Sequence, residues 1–146
     1  MDTKIVEQWH PKLIGKDYKI IPTENNLNLF NCYAFTIGDY KNWHGHREDN
    51  WPSSIGSRFP SIDNYIKFYN LYGFNICDND EYDEEFNKIA IYTNNKDWVS
   101  HAAKQYNNMW RSKLGTSCIL EHELEWISGF DYNNYGKVHL LMKKKI

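Results

Sequence analysis

Apolar and polar positions alternate along this chain in ways that predict helices first and strands afterwards. The run Asn28-Leu29-Phe30-Asn31-Cys32-Tyr33-Ala34-Phe35-Thr36-Ile37-Gly38 predicts a helix. Asn28 or Asn31 can cap it by accepting from a free backbone N–H, and Gly38 can end it. Cys32 then sits in the first turn. A clearer helix begins at Ser61, where Ile62, Tyr65, Ile66, Tyr69 and Tyr72 recur at helical spacing. Asp63 suits its positive N-terminal end, and Gly73 stops it. Residues 1–27 are turn-rich and read as an extended N-terminal arm, with a short strand at 18–21. Residues 39–60 read as a long loop anchored by Trp43 and Trp51.

The second half predicts strands at 88–92, 98–105 and 109–114, joined by turns at 94–97 and Asn107-Asn108. Period-two geometry places Val99, His101, Ala103 and Gln105 on one face, and Trp110, Ser112 and Leu114 on another shared face. A short helix is expected over 118–128, and a last strand over 137–142. Helices followed by strands argue an α+β fold, with N-terminal helices packed on an antiparallel β-meander. The chain reads as a single domain over residues 1–146, with its core in 28–142.

Composition narrows the function classes. Aromatic residues make up 16% of the 146, so large rings can fill a core from few positions. The net charge of −2 gives no attraction for a polyanion, which excludes nucleic acid as an expected partner. Lys143, Lys144 and Lys145 read as a solvated basic tail. No apolar run approaches the roughly 20 residues that span a bilayer, and no secretory leader is visible. The expectation is a cytoplasmic protein with no membrane partner. Cys32, Cys77 and Cys118 are odd in number and widely spaced, which suits free thiols in a reducing compartment.

Four residues carry candidate chemistry. A thiol at a helix start, as at Cys32, feels free N–H groups and the helix dipole, and both favour the reactive thiolate. His101, flanked by small residues on a strand, is a candidate base for it. Ser112 on the next strand, or His122 (with Glu121 beside it), is a candidate to orient the imidazole. His44 and His46 with Asp49 make a weaker metal candidate, and the acidic run at 78–85 lacks the spacing and turn glycine of a calcium loop. No cofactor or metal is expected.

Asn31-Cys32-Tyr33-Ala34-Phe35, Trp51-Pro52, Gly73-Phe74 with Cys77, Lys88 to Tyr92, His101-Ala102-Ala103-Lys104-Gln105, Trp110 to Gly115, Ile119, His122 and Tyr135-Gly136 resemble a family of uncharacterised bacterial domains. More loosely, the order of a cysteine-led helix and a histidine-bearing meander resembles papain-like thiol hydrolases of the NlpC and CHAP type. In the NlpC-type pattern the base opens the first strand of the meander, where this chain has Lys88, and His101 falls on the orienting position. In other papain-like peptidases His-Ala opens a strand, which makes His101 the base and Ser112 the orienting residue. The resemblance implies a cysteine hydrolase or transferase cleaving an amide or thioester of a protein or peptide-like substrate. Its alternative is an inactive papain-like binding or immunity-type module acting by protein–protein contact.

Overall fold

The computed structural model describes residues 2–131 and 134–146. A seven-stranded antiparallel sheet with few helices forms the frame. Its strands are β1 (Lys19–Ile21), β2 (Asn75–Cys77), β3 (Phe86–Thr93), β4 (Val99–Tyr106), β5 (Met109–Lys113), β6 (Ile119–His122) and β7 (Lys137–Lys145). They lie in the order β1-β6-β5-β4-β3-β7-β2, so the meander β3 to β6 forms the centre and β7 returns beside β3.

Two helices cover one face. In α2 (Cys32–Ile37) the Asn31 side chain accepts from the Ala34 N–H, and Gly38 at φ 81° closes the C-terminus with N–H bonds to Ala34 and Phe35 carbonyls. In α3 (Ile62–Leu71) Ser61 caps in the same way through the Asn64 N–H. Both caps fall where the sequence places them. Tyr33, Tyr65, Phe68, Tyr69 and Trp51 pack on this face against Ile89, Ile91, Ala102 and Met142.

The other face is covered by the N-terminal arm. The arm is not extended: Asp2 caps α1 (Thr3–Trp9), and a 3-10 turn follows at Pro11–Leu13. Val6 and Leu13 are buried against Ala90, Tyr92, Ala103, Trp110, Leu120 and Ile127, so the core reaches well before residue 28.

Two further expectations change. Residues 119–122 form β6, paired to both β5 and β1, with a 3-10 turn at Leu124–Ile127, in place of a single helix. The three lysines at 143–145 belong to β7, where Lys143 pairs with Asn75 and stacks its ammonium 4.3 Å from the Phe86 ring. Among the described residues, no helix is long and apolar enough to cross a membrane.

Candidate functional site

Asn31 fixes the start of α2 and the loop after it together. Its Oδ1 accepts from the Ala34 N–H at 3.0 Å and the His44 N–H at 3.1 Å, and its Nδ2 donates to the His44 carbonyl at 2.6 Å. Cys32 follows as the first residue of a six-residue helix. It is half-buried and packs against the aromatic cluster of α2 and α3. That burial pushes the thiol up to about 12, against weaker opposing help from the backbone N–H groups of Ala102, Tyr33 and Cys32 and from the charge on Lys113. The helix-start argument predicts a lowered thiol, and the structure reverses it. Desolvation of an anion outweighs one short helix's free N–H groups.

On β4, His101 points the other way. It is 1% exposed, and its Nε2 lies 2.9 Å from Ser112 Oγ. Ser112 Oγ lies 2.7 Å from His122 Nε2, and His122 Nδ1 lies 2.7 Å from the Glu123 carbonyl. A carbonyl only accepts, so His122 carries its proton on Nδ1 and accepts at Nε2. Ser112 therefore donates to His122 and accepts from the N–H at His101 Nε2. The lone pair of His101 is left on Nδ1. Burial drives His101 well below the ordinary histidine value, with the neighbouring His122 and His10 adding to it. Burial also lowers His122 to about 4, against the Glu123 carbonyl and the Glu121 charge. Both rings are neutral at pH 7.

An aromatic column covers this relay. Tyr135 stacks on His101 with ring centres 4.0 Å apart and on His10 at 5.8 Å. Gly136, at φ 87° and with no room for a Cβ beside the Thr93 carbonyl, pairs with Gly129 and sets Tyr135 in place. The Ser100 hydroxyl also donates to the Tyr135 carbonyl at 2.6 Å.

The structure thus brings together His101, Ser112 and His122, but not Cys32. Alternation along β4 turns Ala102 toward the cluster that holds Cys32, and turns His101 and Ala103 toward the opposite face. The backbone of β4 stands between thiol and imidazole. Glu121 points away from the relay as well, pairing with Arg111 at 3.1 Å.

The metal candidates have other roles. His44 Nε2 contacts Asp39 Oδ2 at 2.7 Å, and His46 Nδ1 meets the Tyr65 hydroxyl at 2.8 Å. Burial works against ionisation of Asp39, but hydrogen bonds from His44, Lys41 and Asn42 hold it down at about 2. Asp49 is exposed, and no group of three or more His, Cys, Asp or Glu among the described residues is arranged to hold a metal ion. In the acidic loop, Lys88 Nζ donates to the Asn79 carbonyl, Asn79 Oδ1 and the Glu81 carbonyl at 3.3, 2.9 and 2.6 Å. The residue at the NlpC-type base position therefore closes a loop.

Sequence reasoning missed His10, Tyr135 and Lys113. Lys113 is fully buried and donates to the carbonyls of Leu27, Phe30 and Gly115 at 2.7, 3.0 and 2.7 Å. Burial lowers it to about 8, so it remains mostly charged at pH 7 with three acceptors for its three protons. Nothing in its sequence neighbourhood, Arg111-Ser112-Lys113-Leu114-Gly115, signals this burial.

Residues 21–143 match the model of a family described as a domain of unknown function, DUF7689. No curated protein and no solved structure matches the chain.

Proposed function

The chain belongs to the DUF7689 family, and we propose that it is a catalytically inactive, papain-like binding module acting through protein–protein contact. The observation that carries this reading is the placement of Cys32 and His101 on opposite faces of the sheet, with Ala102 on the side where a base would have to stand. The raised thiol and the closed relay support it: a nucleophile needs thiolate, and a base needs access to it. The papain-like part of the reading rests on the cysteine-led helix lying against the centre of an antiparallel meander.

An exposed aromatic pair where the 39–60 loop ends supports this reading as its contact surface. Phe59 and Trp98 are 51% and 37% exposed, stacked edge to face with centres 5.4 Å apart, and Lys96 lies over the Trp98 ring. Exposed tryptophan beside a cation is a common interface anchor. The test uses the whole protein in its native host. Cys32→Ala is expected to keep the biological effect, and Phe59→Ser with Trp98→Ser to remove it. Loss of the effect in a folded Cys32→Ala protein overturns the reading.

One observation favours a thiol hydrolase as the second reading: Ser112 holds His101 Nε2 and leaves Nδ1 with the lone pair a base requires. Iodoacetamide labelling of Cys32 against pH separates the two. A labelling midpoint below about 8 that vanishes in His101→Gln supports the hydrolase. Slow labelling independent of His101 supports the binding module.

A further inference from the structure

We infer that a cavity beside the N-terminal arm binds a planar aromatic small molecule that carries no negative charge. The cavity has a volume of about 440 Å³, within the range of small-molecule sites. It lies between α1 and the turn after β5, and its walls include Trp9, His10, Leu114, Thr116 and Tyr135. Three of these are flat rings. Trp9 is 52% exposed, although it sits on a helix whose Val6 is buried. Tyr135 already stacks between His10 and His101, so the wall is an extension of a column of rings. Offset stacking on such faces favours a planar guest.

The sign of the guest follows from the lining, which among the described residues contains no Asp, Glu, Lys or Arg. An anion would lose its water against the negative faces of the rings without gaining a cationic partner. The second, independent observation is His10. It lines the cavity, is 6% exposed, and its Nδ1 is buried with no hydrogen-bond partner among the described residues. Buried polar atoms are almost always paired, so this one calls for a partner from outside the chain, such as a water or a polar atom of the guest. Thr116 and Asn134 add polar groups for an amide or ring nitrogen.

The experiment titrates the full-length protein with quinoline, neutral at pH 7.5, and with quinoline-4-carboxylate, the same ring system carrying a negative charge. Nuclear magnetic resonance follows the Trp9 indole N–H and the His10 ring signals. Quinoline is expected to shift both saturably, with quinoline-4-carboxylate at least about tenfold weaker. Thr116→Trp, at an exposed position, fills the mouth and is expected to abolish the shifts while the melting temperature holds. Equal affinity for the two probes, or no saturable shift, overturns the inference. So does a concentration-dependent shift of the same signals without a probe, which would assign the cavity to a side chain of a second copy.

Discussion

The two faces of the sheet are built on different physics. On the helix side, Cys32 sits among tyrosines and phenylalanines whose rings do most of the filling, and hydroxyls such as Thr36 and Tyr69 pair locally at 2.7 Å. On the arm side, three histidines and a serine are buried beneath the partly buried ring of Tyr135. The first face tolerates loss of a polar atom. The second depends on a chain in which each hydrogen bond sets the tautomer of the next, so it fails as a unit. On this face the residues that look catalytic by type are buried and packed against one another.

Acid offers the sharpest way to separate the faces. His101, His122 and His10 all have values lowered by burial, His122 to about 4, against an ordinary 6.5 in the unfolded chain. Their contribution is complete above pH 6.5 and is lost as pH falls from there toward their folded values. Each ring whose unfolded form alone is protonated costs about 1.4 kcal/mol per pH unit in that window. Urea unfolding at pH 7.5, 5.5 and 4.5 is expected to show a steep fall in midpoint. An unchanged midpoint breaks the contrast.

Ser112→Ala strikes the same face at neutral pH. It strips a buried donor from one imidazole and an acceptor from the other, at about 2–5 kcal/mol in denaturant unfolding. Asn31→Ala tests the opposite side by removing the α2 cap and the tie to His44; about 1–2 kcal/mol is expected from the same measurement. Cys32→Ala is the smallest, about 1 kcal/mol or less, because a half-buried thiol contributes as a small apolar group. A Cys32 loss larger than that of Ser112 would invert the comparison.

These differences follow how legible each part is in the sequence. Caps are local: Asn31, Ser61 and Gly38 announce α2 and α3 because one side chain or one positive φ decides the outcome. Residues 118–128 are not, because Ile119, Trp126 and Ile127 also satisfy helical spacing, and pairing to β5 and β1 decides for strand. Helix α1 buries only Val6, too little periodicity to read. Alternation correctly groups His101 with Ala103 and Ser112 with Trp110, while a bulge between His101 and Val99 removes Val99 from that face. Which face the cysteine helix would cover is a long-range fact that no local pattern contains. The same holds for the thiol, whose helix-start environment is local and whose burial is not.

Finally, the sheet ends on its two shortest strands. β1 and β2 have three residues each and form its two borders. Pro22 follows β1 immediately and offers no N–H for another strand to use. On the β1 side a neighbouring molecule therefore meets only about 10 Å of free ladder. On the other side β2 covers only Leu141–Lys143 of the longer β7, so any cross-molecular pairing of this sheet would start at the uncovered part of β7.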